Sequence, residues 1–329
     1  MIDHFSQGSQ GSQGSQGSQG SQGVAVLPGA GFGSPIDILP FSGLLRRPRD
    51  ADKSPWPTDV NQLPLKGIKL QFDLNSVGEF VSGEGFGGWH PAFLAQTVLA
   101  EFGAAGWKGG PSSTEVDTKI DPGRPSSRRT DLEDEIKVLL YLASSERPRR
   151  MAEIVSQAID MRPYWNTLVG ASLLATPATC TLIEIGLAVG QMVVMHYKFK
   201  YNRPRPYQVY PALLPPIPAP PHPSYPNGHS LQALLVAHCL LKAVEYPARS
   251  AGALQNASSG SSAAHPRTML LSMAQRIGEN REVAGVHFPS DRKASESMVD
   301  GIMAILEECP KFQQVVARAS KELGHKFAL

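Results

Sequence analysis

The chain has 329 residues, enough for one large domain or two modest ones, and 41% of them are apolar, which suffices for a packed core. Charged residues make up 18% and the formal net charge is +2, a balance that gives no drive toward nucleic acid, an acidic partner or a membrane surface. Cys180, Cys239 and Cys309 each sit inside an apolar stretch; an odd, sparse set excludes a disulfide framework and offers no CxxC pair for zinc, so they read as small core residues in a reducing compartment.

Taken in chain order, Ser6 to Gly23 is Ser-Gln-Gly written six times. Such a tract has nothing to bury against the entropy of ordering, so residues 1–23 are expected to be a disordered tail. No basic patch followed by an apolar core is seen, and a cytoplasmic protein is the expectation. Residues 24–129 are dense in Pro and Gly and read as an irregular N-terminal region. Within it, Ile68 to Leu74 alternates like a short strand, and Ala92 to Phe102 reads as a helix. Gly83 to Gly88 matches GxGxxG, but the candidate strand stops too early and no βαβ series follows, so a loop is the better reading. Lys108 to Arg129 is polar and proline-marked, which predicts an exposed connection.

At Thr130 the character changes, and residues 130–329 read as one helical domain. Thr130-Asp131-Leu132-Glu133 has the capping-box pattern, and Leu132, Ile136, Leu139, Leu140 and Ala143 follow at helical spacing. Further helices are predicted over Arg149–Asp160, Leu182–Phe199, Ser230–Glu245, Arg267–Gly278, Pro289–Glu308 and Phe312–Leu323. The fold class is therefore all-α, a helical bundle. Leu182 to Met195 is apolar enough to suggest a membrane span. Glu184 interrupts it and no comparable run recurs, so a bundle-core helix is expected and no transmembrane segment.

Three fragments carry chemistry. In the first, Lys198 and Arg205 are seven residues apart, while Pro204 and Pro206 predict that the helix breaks near Asn202 and leaves Arg205 extended. A lysine and an arginine together suit a dianion, one as a point charge and the other as a planar fork. In the second, Pro226-Asn227-Gly228 is a turn feeding a helix whose N-terminal N–H groups and dipole form an anion site, with His229 placed there to donate a proton. Read blandly, Asn227 only caps that helix. In the third, His287 and Asp291 are four apart, so the carboxylate can fix the imidazole tautomer and leave the other nitrogen to attack. Arg281, six residues upstream and across Gly285, adds a third cation.

In order and spacing these fragments resemble the signature stretches of the type 2 phosphatidic acid phosphatase and vanadium haloperoxidase superfamily. That pattern is Lys, six residues, Arg-Pro; then Pro-Ser-Gly-His; then Ser-Arg, five residues, His, three residues, Asp. Lys198 to Arg205-Pro206, Gly228-His229, and Arg281 through His287 to Asp291 match it, while Asn227 and Asn280 stand where the pattern has Ser. Centring on Arg203-Pro204 instead fails, because His196 and not a lysine lies seven before Arg203.

The resemblance implies a bundle of that family's type and one pocket with two chemistries. In the phosphatase branch His287 would be the nucleophile that becomes a phosphohistidine, Asp291 its orienter and His229 the general acid and base. Lys198, Arg205, Asn227, Gly228 and Arg281 would hold the phosphate. That branch needs no cofactor or metal, and its substrate would be a small phosphoester or a lipid phosphate. In the haloperoxidase branch the same residues would hold vanadate through His287, with His222 on the halide side. A phosphoric ester hydrolase is the preferred reading, a vanadium haloperoxidase the runner-up, and a non-catalytic oxyanion or phospholipid-headgroup binder the third. Nucleic acid is not expected as a partner, and a homo-oligomer is left open.

Overall fold

The computed structural model describes residues 89–105, 107, 120–250 and 266–324; the Ser-Gln-Gly tract, the candidate strand at Ile68 to Leu74 and the GxGxxG string lie outside them. Among the described residues the architecture is all-α, with no strand. In chain order the helices are α1 (Pro91–Ala104), α2 (Arg129–Ser145), α3 (Arg147–Ile159), α4 (Arg162–Val169), α5 (Pro177–Tyr201), a short α6 (Pro206–Val209), α7 (Gly228–Ser250), α8 (Pro266–Val283), α9 (Pro289–Glu308) and α10 (Pro310–Leu323).

Helix α5 is the axis. It is apolar on nearly every side, and a helix of that kind must be buried all round. Leu182, Ile183, Ile185, Leu187, Val189, Val193 and Val194 are almost wholly enclosed. Its largest neighbour is α7; α1 and α10 also pack on it, and α8 and α9 close the other flank of α7. By length and composition alone the stretch from Pro177 to Val209 could cross a membrane, yet 78% of its most apolar window is buried inside the bundle. Packing on α7, α1 and α10 accounts for that apolar character.

Two glycines let α5 and α7 approach closely. A methyl group at Gly186 would come within 2.6 Å of the Val236 nitrogen, and one at Gly190 within 2.8 Å of the Gln232 side chain. Pro177 starts α5 at the first helical position, where no N–H is lost. The next donors, the Ala178 and Thr179 N–H groups, go to the carboxylate of Glu322 on α10 at 3.0 and 2.7 Å. This tertiary cap explains why the helix begins five residues before the predicted Leu182.

Three expectations are corrected. The capping box at Thr130 does not form: the N-cap is Arg128, and Asp131 instead accepts from the Ser126 hydroxyl and Arg128, while Glu133 pairs with Arg129. Helix α8 runs past Gly278 to Val283, because this glycine serves a close approach to Ser230 and Arg292 and is not a stop. The stretch before Arg129 is not all exposed connection, since Ile120 is buried in the core and Tyr225 Oη donates to the Pro122 and Gly123 carbonyls. Helix α1 likewise buries Leu94, Val98 and Phe102 in the main core, so the bundle recruits residues from before Thr130.

The three cysteines are free and buried, and burial pushes their thiols up, to about 11 for Cys180 and Cys309 and about 12 for Cys239. Unreactive packing residues behave this way.

Candidate active site

Helix α5 ends where the sequence predicts. Asn202 adopts the left-handed conformation (φ 44°) and its N–H caps the Lys198 carbonyl; Arg205 is extended, at φ −82° and ψ 157°. From there the chain passes through α6 and a proline-rich strap to Gly228, which opens α7. The strap folds back over the end of α5, and Lys198 holds it: its fully buried ammonium donates to the Pro223 and Ser224 carbonyls at 2.7 and 2.8 Å. Burial and the neighbouring Arg205 drive the Lys198 pKa well below its ordinary value, against the pull of Asp291.

A small pocket opens beside this strap. It is lined by His222, Gly228, His229, Arg281 and His287, with Ala158, Ile217, Pro218, Pro220 and Val286 as its apolar walls. Segments from three distant parts of the sequence therefore meet at one point.

His287 lies between α8 and α9 and is buried. Its Nδ1 is 3.1 Å from Asp291 Oδ2, and a carboxylate can only accept, so Nδ1 carries the proton and Nε2 keeps a lone pair. That Nε2 is 3.4 Å from Arg205 Nη1. Asp291 is fixed in turn. Its Oδ2 also accepts from the Phe288 N–H at 3.0 Å and from the Ser224 hydroxyl, and its Oδ1 accepts from Arg203 at 2.6 Å. Desolvation, then Arg205, Lys198, His229 and His222, push the His287 pKa well below 6.5. The ring is thus neutral, with its lone pair on Nε2.

His229 sits in the first turn of α7. Its Nε2 is 3.2 Å from the Gln157 carbonyl, one of the last four of α3 and so without a helical partner. A carbonyl only accepts, so Nε2 bears the proton and Nδ1 is the position open to exchange. Burial, then Arg281, holds this imidazole well below its ordinary pKa, with the Gln157 bond opposing.

Arg281 stands in the last turn of α8. One of its terminal nitrogens donates to the Ile154 carbonyl at 2.9 Å, while its buried Nε has no hydrogen-bond partner. Burial lowers its pKa to about 10, still far above neutrality. A buried cation on the pocket wall with an unsatisfied donor is the strongest local attraction for an oxyanion.

Of the residues singled out in the sequence, His222, Gly228, His229, Arg281 and His287 come together on the pocket surface. Arg205 and Asp291 stand directly behind. Arg205 spends its fork on the His222 and Val286 carbonyls and approaches His222 Nδ1 at 3.1 Å. Asn227 is engaged within the helix start. Its Oδ1 accepts from the Ser230 N–H at 3.2 Å and its Nδ2 donates to the Gly278 carbonyl at 3.4 Å, so the amide serves the helix cap and does not line the pocket. A buried helix start must satisfy its donors from within, and that demand claims the side chain. Lys198 likewise serves the strap and is absent from the pocket lining. Asn280 faces Glu153 and Gln157 at 3.0 and 2.9 Å and tethers α8 to α3.

Arg203, Ser224, Glu135 and the end of α3 were missed. Arg203-Pro204 is visible as a string, but nothing in one sequence tells which carboxylate a buried arginine will meet. Helix α3 holds Arg281 and His229 through the Ile154 and Gln157 main-chain carbonyls, which carry no residue signal.

Among the described residues, no group of three His, Cys, Asp or Glu side chains is arranged to hold a metal ion. Compared with known proteins, the chain matches no family model and no curated protein.

Proposed function

We propose that this protein is a phosphoric ester hydrolase that works through a phosphohistidine intermediate, with His287 as nucleophile and His229 as general acid and then general base. The observation that carries it is the meeting of two buried neutral histidines and a half-satisfied buried arginine in one pocket at a helix N-terminus. The resemblance of the three fragments to the phosphatase and haloperoxidase superfamily points the same way.

In this reading a phosphate ester binds with its oxygens toward Arg281 and the Gly228 end of α7, with Arg205 adding positive potential from behind. His287 Nε2 attacks phosphorus, and Asp291 stabilises the charge that develops on the ring. As the P–N bond forms, the P–O bond to the leaving alcohol breaks and His229 gives that oxygen a proton. Neutral His229 then takes a proton from water, whose oxygen attacks phosphorus and breaks the P–N bond. Phosphate leaves and both histidines return to their starting states. Burial first, then Arg281 and Arg205, holds the His229 pKa well below its ordinary value. A bound dianion offsets the two arginine charges, so substrate binding raises the pKa of the acid.

The test is hydrolysis of an aryl phosphate by the purified protein, beside His287→Ala and with orthovanadate as a competing tetrahedral anion. Turnover that vanadate blocks, and that falls about a thousandfold or more in His287→Ala, supports the reading. Turnover that survives His287→Ala removes His287 from its role. Phosphate binding without turnover would mark a non-catalytic oxyanion or headgroup binder.

His222 favours a second reading, because it shares the pocket wall and touches Arg205. Vanadate has the shape and charge of phosphate, and the unsatisfied Arg281 nitrogen suits either. His287 would hold it, with Arg281, Arg205 and Gly228 around its oxygens. Bound vanadate would supply activation of peroxide for halide oxidation. Bromide oxidation that depends on added vanadate, in protein that does not hydrolyse aryl phosphates, would make this the function.

A further inference from the structure

One buried ion pair joins the first fragment to the third through an arginine that the signature pattern does not include, and it touches the reacting dyad. Arg203 lies in the link between α5 and α6, two residues before Arg205, with only a few per cent of its side chain exposed. One terminal nitrogen donates to Asp291 Oδ1 at 2.6 Å and to Ser290 Oγ at 2.7 Å. The other donates to Glu135 Oε2 at 2.7 Å, and the guanidinium lies 4.0 Å from the centre of the Phe288 ring. Glu135, on α2, accepts from the Ser290 N–H at 2.7 Å with its second oxygen. Two remote elements therefore grip the first turn of α9 at the residue that orients His287.

Removing one partner of a buried pair leaves the other uncompensated, so this arrangement constrains charge as well as shape. Each pairing has a consequence at His287. The Arg203 guanidinium draws on the Asp291 carboxylate and weakens its hold on an imidazole proton. Glu135 draws on Arg203 and relaxes that effect.

We propose that Arg203 and Glu135 are a pair of positioning residues that set the direction of the Asp291 carboxylate and the strength of its field on His287. The catalytic consequence rests on His287 being the nucleophile; the electrostatic claim does not.

The test is the titration of the His287 imidazole, followed by NMR in protein carrying labelled histidine, its signal identified by its loss in His287→Ala. Lys198 on α5, Arg205 and His222 on the link and strap, His229 on α7, Arg281 on α8 and Asp291 on α9 surround the ring and are unchanged in the variants below. In Arg203→Ala the Asp291 carboxylate pulls harder on the proton, so the midpoint rises. In Glu135→Gln the whole Arg203 charge falls on Asp291, so the midpoint falls.

Opposite signs are what the pairing requires. A role confined to holding the turn in shape would let water reach His287 in both variants and raise both midpoints, since hydration favours the charged ring. Two rises, or no movement in either, overturn the proposal. Should Arg203→Ala fail to fold, Glu135→Gln decides alone, with a fall supporting the pairing and anything else overturning it.

If aryl phosphate is turned over, Arg203→Ala lowers kcat by about 10- to 100-fold with KM little changed, and Arg203→Lys recovers part of the loss. Opposed shifts in protein with no turnover would leave the pairing standing and sink the phosphatase reading. Turnover with shifts of one sign would do the reverse.

Discussion

His287 and His229 share a low dielectric and a surrounding of cations, and the same physics gives them opposite requirements. In the proposed reaction His287 must be neutral to attack, and desolvation with Arg205 and Lys198 keeps it so to well below pH 6.5. In the same proposal His229 must be protonated to serve the leaving oxygen, yet burial and Arg281 depress it too. The sign follows directly. Lowering pH costs little at the nucleophile until the depressed His287 pKa is reached, while raising pH strips the proton from His229 early. We therefore expect kcat/KM for aryl phosphate to be greatest on the acid side of about pH 6.5 and to decline above it. A pH–rate profile still climbing above about pH 7 would contradict histidine as the acid.

At the scale of elements, the site depends on how closely α5 and α7 pack, because α5 carries Lys198 in its last turn and α7 begins at Gly228. Gly186→Ala drives a methyl group into the Val236 backbone, which has no flexible end to yield. We expect a loss of about 1–3 kcal/mol in urea unfolding, from overpacking. A midpoint equal to that of the parent would mean that the two helices have slack between them. Helix α3 contributes differently. Its Ile154 and Gln157 carbonyls hold Arg281 and His229, and its Ala158 lines the pocket. At the C-terminal end of α3 the helix dipole adds to the hold of the Gln157 carbonyl on the His229 N–H.

For the molecule as a whole, the last helix completes the first turn of the central one. Glu322 on α10 accepts from the Ala178 and Thr179 N–H groups and from the Thr179 hydroxyl at 2.7 Å, across more than 140 residues of chain. Glu322→Ala orphans these donors, and we expect about 1–2 kcal/mol of destabilisation, read by chemical denaturation, with the pocket residues untouched. No change in unfolding would show that solvent satisfies the start of α5 without help.

Much of this was legible in the residues. Helical periodicity after Thr130, the break near Asn202 and the i, i+4 pairing of His287 with Asp291 are local consequences of side-chain spacing and proline geometry, and local rules act within a turn or two of chain. The bundle core on α5 was legible for a related reason: an apolar run must be covered by something. The partners were not. Whether Asn227 grips an anion or caps a helix depends on how deeply the start of α7 is buried. Whether Arg203 is a loop cation or the counter-charge to Asp291 depends on where α2 and α9 lie. Lys198 became the anchor of the strap because two carbonyls from residues 223 and 224 came within reach. Residue types and their spacing by themselves determined which chemistry could be assembled. Only the tertiary structure decided which groups face the pocket and which stand behind it, because desolvation and hydrogen-bond demand are set by neighbours far away in the chain.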